Sequence, residues 1–143
     1  GGLRSQTEEA NMALGDLFGG IDNTVPVCPS WVRTIALGAA TPVADWTAGG
    51  ANPVPADIRI FDFKAHNNTG GAQAGATVVL QSNIAAVGWV AVTDILAIAL
   101  NDSIARCTTI DPAQMDIGAA DSIRLVKNAA GDGGIAYVCM HLR

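Results

Sequence analysis

From Ile58 onward the chain is a succession of short stretches that alternate apolar and polar residues, each closed by Gly, Asn, Asp or Pro. "IRIFDFKAH", "ATVVLQS" and "SIRLVK" have the two-residue period of a half-buried strand. "NNTGGAQAG" and "DPAQMDIGAAD" between them are turn-rich connections. A parallel α/β fold needs a helical segment between successive strands, and this region has none. The cadence therefore predicts a mainly β fold: an antiparallel β-sandwich or jelly-roll-like domain.

Finer expectations follow strand by strand. In "IRIFDFKAH", Arg59, Phe61 and Phe63 fall on one face, and Ile58, Ile60, Asp62 and Lys64 on the other. "GWVAVTDILAIAL" is apolar almost throughout, and its second half reads as a buried strand. "SIARCTTI" is another. The close of the chain, "LVKNAAGDGGIAYVCMHLR", raises a choice. A phosphate cradle would require a helix after the glycines, whose free N–H groups hold the anion. The residues from Ile135 to Leu142 are β-branched, aromatic and without a helix cap, and no Gly-Lys-Ser/Thr occurs. The expectation is a final hairpin. Asn128, Gly131, Asp132, Gly133 and Gly134 would supply its positive-φ positions.

The first half is different. "SQTEEANMALGDLFGG" carries a helix signal. Ser5 and Glu8 match a capping box, Ala10, Ala13, Leu14 and Leu17 share a face, and Gly19 and Gly20 stop it. Residues 1–20 are expected to form a short helix or arm, and residues 21–143 a single sandwich domain. Pro26, Pro29, Pro42, Pro53 and Pro55 punctuate residues 21–57, where "WVRTIAL" and "TPVADW" are expected as edge strands.

Composition narrows the function. Half of the 143 residues are hydrophobic and only 15% are charged. No apolar run is long enough for a membrane span. Low charge without a span points to surface covered by a partner or by further copies of the chain. The net charge of −5 and the scattered Lys and Arg residues argue against nucleic acid. Cys28, Cys107 and Cys139 are odd in number and far apart, which fits free thiols in a reducing compartment. No secretory-signal pattern opens the sequence, so the sequons at Asn67 and Asn101 are expected to be chance.

No catalytic constellation stands out. Asp94, Asp102, Asp111, Asp116, Asp121 and Asp132 border turns or strand ends, where local hydrogen bonds favour Asp. His66 and His141 are the only histidines. His141 shares a strand face with Cys139, but a zinc site needs more ligands than these. Cys28 and Cys107 lack an adjacent base, and no G-x-S-x-G elbow occurs. No cofactor or metal is expected. Trp31, Trp46, Trp89, Phe61, Phe63 and Tyr137 are expected to anchor the core, with Trp31 and Trp46 also suited to a subunit contact.

The order of these strands carries a resemblance. A "VVLQ" strand at Val78–Gln81 is followed by "TD…AIAL" from Thr93 to Leu100. An "R-x-x-TID" exit spans Arg106–Asp111, and "I-x-A-x-D-x-I-R" begins at Ile117. A glycine turn then leads to Tyr137 and Val138. Over residues 76–143 this resembles small β-rich structural proteins of tailed bacteriophages, of the capsid decoration (cement) or head-fibre type. The resemblance implies a non-enzymatic virion protein made in a bacterial cytoplasm. It would bind the major capsid protein or another virion protein and self-associate. Leu3, Met12, Leu14, Leu17 and Phe18 of the arm, with Trp31 and Trp46, are the expected partner-binding residues. The alternatives are a tail or fibre component, a carbohydrate-binding jelly-roll module with Trp46 as its stacking platform, and an enzyme built on Asp94 and Asp111.

Overall fold

The computed structural model describes residues 30–38, 41–46 and 57–143. Their elements are β-strands: β1 (Ser30–Leu37), β2 (Thr41–Trp46), β3 (Ile58–His66), β4 (Thr77–Asn83) and β5 (Val90–Ala91). There follow β6 (Leu96–Ala97), β7 (Ile104–Arg106), β8 (Asp116–Ile117), β9 (Ser122–Lys127) and β10 (Gly134–Leu142). The expected helix or arm at residues 1–20 lies outside the described residues.

The strands form two five-stranded antiparallel sheets. One has the order β1-β10-β3-β7, with β8 also on β3; the other has β2-β9-β4-β5, with β6 also on β4. β5 and β6 act as one interrupted strand, as do β7 and β8. Counted that way, the neighbours are first with last, second with last but one, and so on inward. This is one long antiparallel ribbon rolled over itself, the winding of a jelly roll. The domain is a mainly β, antiparallel sandwich. Pro42 pairs on β2, an edge strand, where a residue with no N–H does least harm to the ladder.

The inner faces of both sheets close on one core. Ile58, Ile60, Phe63, Val138 and Met140 from one sheet meet Val78, Leu80, Ile123 and Leu125 from the other. Truncating any of the larger side chains to Ala costs about 2–5 kcal/mol by the usual scale for buried aliphatic and aromatic groups.

Three expectations are corrected here. First, β9 and β10 do not form a hairpin. They lie in different sheets, and "NAAGDGG" is an arch that carries the chain across the sandwich. Of the proposed positive-φ residues only Gly131, Gly133 and Gly134 adopt that conformation. The arch is held from inside. Lys127 occupies an inward position of β9 and is 2% exposed. Its Nζ donates to the carbonyls of Asn128 (3.3 Å), Ala130 (3.2 Å) and Gly131 (2.9 Å). Burial pushes its ammonium pKa down, and the charge of Asp132 opposes that shift.

Second, the faces of β3 switch midway. In the pairing with β10, Cys139 lies opposite Asp62 and Met140 opposite Ile60, so Phe61 is an extra residue. This bulge turns Phe63 and Ala65 inward with Ile58 and Ile60, and leaves Phe61 exposed. Third, "GWVAVTDILAIAL" is broken into β5 and β6. Leu96 and Ile98 are buried as expected, but Leu100 is 72% exposed. "SIARCTTI" forms a strand only over Ile104–Arg106, with one isolated bridge further on from Ile110 to Thr93. Asp94 supplies the reason. Its carboxylate accepts from the N–H groups of Thr108 (2.9 Å) and Thr109 (3.0 Å), taking those donors from any ladder.

Two substitutions separate the supports of the arch. Lys127→Met keeps the stem but strands three part-buried carbonyls. It should lower unfolding stability by about 1–3 kcal/mol. Gly131→Ala combines a φ of +90° with a Cβ placed 2.6 Å from Cβ and Oε1 of Gln73, and should be destabilising by a similar amount. Denaturant midpoints at unchanged slope measure both; an unshifted midpoint for either removes that support from the account.

Candidate interaction surfaces

The outer face of the β1-β10-β3-β7 sheet carries a cluster of charged residues. Two rows cross it. Tyr137, Lys64 and Arg106 stand side by side on β10, β3 and β7, and Ile135, His66 and Ile104 form the next row. Around them the ions are paired. Arg59 donates to both oxygens of Asp116 (2.7 and 3.0 Å), and Arg106 Nε lies 2.9 Å from Asp62 Oδ1. His66 Nε2 lies 2.6 Å from Asp102 Oδ1. Phe61 stacks on His141, with ring centroids 5.4 Å apart. Lys64, His66, Ile104 and Tyr137 line a shallow concavity of about 240 Å³.

Two of the carboxylates make the local turn hydrogen bonds expected of them. Asp111 accepts from the N–H of Ala113 (2.9 Å), and Asp121 from those of Gly118 (2.8 Å) and Ala85 (3.0 Å). Asp94, one of the two best enzyme candidates, holds Thr108 and Thr109 through both backbone and hydroxyl groups. Desolvation raises its pKa, but those hydrogen bonds outweigh it and hold the carboxyl below the ordinary range. At Asp116 the Arg59 hydrogen bond dominates and acts in the same direction.

Cys139 is buried and Cys107 half-buried, both with free thiols, and desolvation pushes both upward. A thiol so shifted is a poor nucleophile at neutral pH. Among the described residues, no three of His, Cys, Asp or Glu gather as a metal-holding group. Among the described residues there is no helix long and apolar enough to cross a membrane. Asn67 of the first sequon is fully buried. Its amide donates to the carbonyls of Gly71 (2.9 Å) and Leu100 (3.0 Å), so it is a loop hub and no glycan acceptor.

Expected partner-binding residues fall in two groups. Leu3, Met12, Leu14, Leu17 and Phe18 lie outside the described residues. Trp31 stands on β1 opposite Met140, and Trp46 ends β2 opposite Ile123, beyond a register shift. Three expected core aromatics are misplaced, Tyr137 among them, since it stands in the outer-face row beside Lys64. Phe61 is exposed because of the bulge. Trp89 is half-buried, with the Arg124 guanidinium 4.3 Å from its ring centroid, and Arg124 Nε donates to Gln81 (2.8 Å). Arg124 and Gln81 are cross-strand neighbours, flanked by the inward Ile123, Leu125, Leu80 and Ser82. That cluster therefore decorates the outside of the second sheet.

A further surface went unrecognised in the sequence. Val90, Ile95, Leu100 and Ile104 are all exposed, Ile95 by 66% and Ile104 by 68%. They lie on or beside β5, β6 and β7, the strands at one edge of the sandwich. The missed signal was an absence of charge: between Lys64 and Arg106 there is no Lys or Arg, and only Asp94 and Asp102 are acidic. At the end of this edge, Ala85 and Ala86 adopt left-handed φ values of 55° and 58° and lead into the exposed Val87. Such backbone is uncommon without glycine and is braced here by Asp121 under Ala85 and by Asn83 on Gly88 N–H (2.9 Å).

No protein-family model matches the chain, and no curated protein matches it. Among solved structures, one titled "Crystal structure of PirA" is 13% identical over 85% of this chain and 100% of that chain, with a TM-score of 0.38. That likeness is too loose to carry an argument.

The acid limb of stability tests the two clamped carboxylates. A carboxyl held below the ordinary Asp value of about 3.9 contributes stability that is fully present above that pH. The contribution is lost as pH falls through the lower native value. Asp94→Asn and Asp116→Asn should therefore be less stable than the parent at neutral pH and show a shallower loss of stability below pH ~4. Parallel acid limbs for parent and variants would show that these groups titrate alike in folded and unfolded chains.

Proposed function

We propose that this chain is a non-enzymatic structural component of a tailed-phage virion that decorates the capsid, binding across neighbouring capsid subunits and self-associating there. The observation that carries the proposal is the uncharged aliphatic edge at β5, β6 and β7. Free sheet edges in monomeric proteins are commonly guarded by Lys, Pro or inward charges. Here the edge instead offers Val90, Ile95, Leu100 and Ile104 to solvent. A partner that removes those side chains from water gains roughly 25 cal/mol per Å² of apolar area. Spread over many copies, such contacts stabilise a particle by mass action. The resemblance of residues 76–143 to phage structural proteins supports the same reading. The jelly-roll winding is shared by viral capsid and lectin domains and does not by itself separate functions. On this reading residues 1–20 act as an additional docking arm, and the protein's place is the virion.

Density-gradient fractionation of source lysate, with peptides quantified by mass spectrometry, tests the proposal. The expected result is enrichment with multi-megadalton particles at many copies each. Purified chain should rebind stripped particles, and Ile95→Lys with Leu100→Lys should abolish rebinding while the thermal midpoint stays within a few degrees, both sites being solvent-exposed. Removing residues 1–20 should also weaken rebinding. Recovery only at the top of the gradient would sink the virion reading. Undiminished rebinding by the Lys variant would remove the edge from it.

A further inference from the structure

We infer that the concavity between β10, β3 and β7 is a binding site for an acidic monosaccharide unit, a sugar ring that bears a carboxylate. This site borders the proposed capsid contact and shares Ile104 with it, but its charged and hydrogen-bonding groups, Lys64, His66 and Tyr137, lie outside that contact, and the assignment does not depend on it.

The electrostatics come first. Lys64 stands directly across from Arg106 in the ladder, and like charges at opposed positions are destabilising. Arg106 is compensated by Asp62 at 2.9 Å. Lys64 is not: among the described residues its Nζ has no ion-pair or hydrogen-bond partner, and neither has the hydroxyl of Tyr137, its neighbour on β10. A chain of net charge −5 thus presents an uncompensated ammonium in a concavity. The group that would complete it is an anion.

The walls specify more than charge. Tyr137 contributes an aromatic ring and a hydroxyl, and Ile104 an exposed aliphatic surface. Sugar rings combine apolar C–H faces with hydroxyl edges and suit such a mixed lining. His66 supplies a further polar group, fixed in place by Asp102 at 2.6 Å. Asp102 is itself preset. It adopts a left-handed φ of 58°, and its N–H donates to the carbonyl of Asn67 (3.0 Å), the buried hub of both adjoining loops. The arrangement is built before any ligand arrives, which lowers the entropy lost on binding. At about 240 Å³ the concavity is smaller than the pockets of drug-sized ligands, and fits one ring rather than a chain of them.

The test is a titration of the full chain with glucuronate, galacturonate and N-acetylneuraminate, against glucose and acetate, followed by calorimetry and by the NMR signals of His66 and Tyr137. At least one acidic sugar should bind roughly tenfold more tightly than glucose and than acetate, with both side-chain signals shifting. Lys64→Met should erase the preference over glucose. Tyr137→Phe should weaken binding while Lys64-dependent discrimination persists. Circular dichroism confirms that each variant is folded, and both sites are only half-buried. Absence of binding by all three acidic sugars, equal binding of glucose or acetate, or an unchanged preference in Lys64→Met would each overturn the assignment.

Discussion

One extra residue in β3 decides what this domain shows to solvent. Up to Ile60 the strand sends Ile58 and Ile60 inward and Arg59 outward. Strict alternation from there would bury Lys64 and His66 and expose Phe63 and Ala65. The bulge at Phe61 and Asp62 resets the phase, so Phe63 and Ala65 enter the core. Asp62 turns to meet Arg106, and its Oδ1 also accepts from the N–H of Phe63 (2.9 Å), which ties the distorted backbone to the ion pair. The core and the outer-face chemistry thus rest on the same local irregularity. A classification of β3 by hydrophobic period alone assigns both faces wrongly beyond it.

The arch between β9 and β10 is the second constraint, and it works between sheets. Both strands are internal to their sheets: β9 lies between β2 and β4, and β10 between β1 and β3. The loop joining them therefore fixes how one sheet sits over the other. A tight crossing leaves carbonyls without ladder partners, and a carbonyl withdrawn from water without a partner costs free energy comparable to a lost hydrogen bond. Lys127 resolves this by placing an ammonium under three of them. Gln73 closes the other side, its Nε2 donating to the carbonyl of Gly133 (3.2 Å).

These two features mark the limit of what the sequence discloses. Strands such as β4 and β9 were legible because their inward residues repeat every second position without interruption. Turns were legible from Gly, Asn and Asp. Whether a glycine-rich turn reverses a strand within its sheet or carries it across the sandwich was not, since both use the same positive-φ residues. A lysine on an inward position reads as a break in the pattern until its carbonyl partners are known. The outer-face cluster was hidden for a related reason: Lys64 and His66 were readable as residues, but Tyr137 and Ile104 reach them only through pairings set by the jelly-roll winding. Asp111 and Asp121, in contrast, were legible as turn-forming carboxylates from position alone, whereas the reach of Asp94 to Thr108 and Thr109 was not.

The aliphatic edge poses a question of mechanism that its strand lengths answer. A long, regular edge strand invites a partner to add another strand through free N–H and C=O groups. Here the edge strands are two or three residues each, broken by the Asp94 clamp and by the turn at Leu100 to Ser103. Such fragments are too short to template a ladder. The backbone is thus protected against indiscriminate strand addition even though the side chains are not protected by charge. A partner on this edge must recognise the spacing of Val90, Ile95, Leu100 and Ile104, which is a matter of shape complementarity. An edge of this kind can stay apolar through folding and remain available for one specific surface.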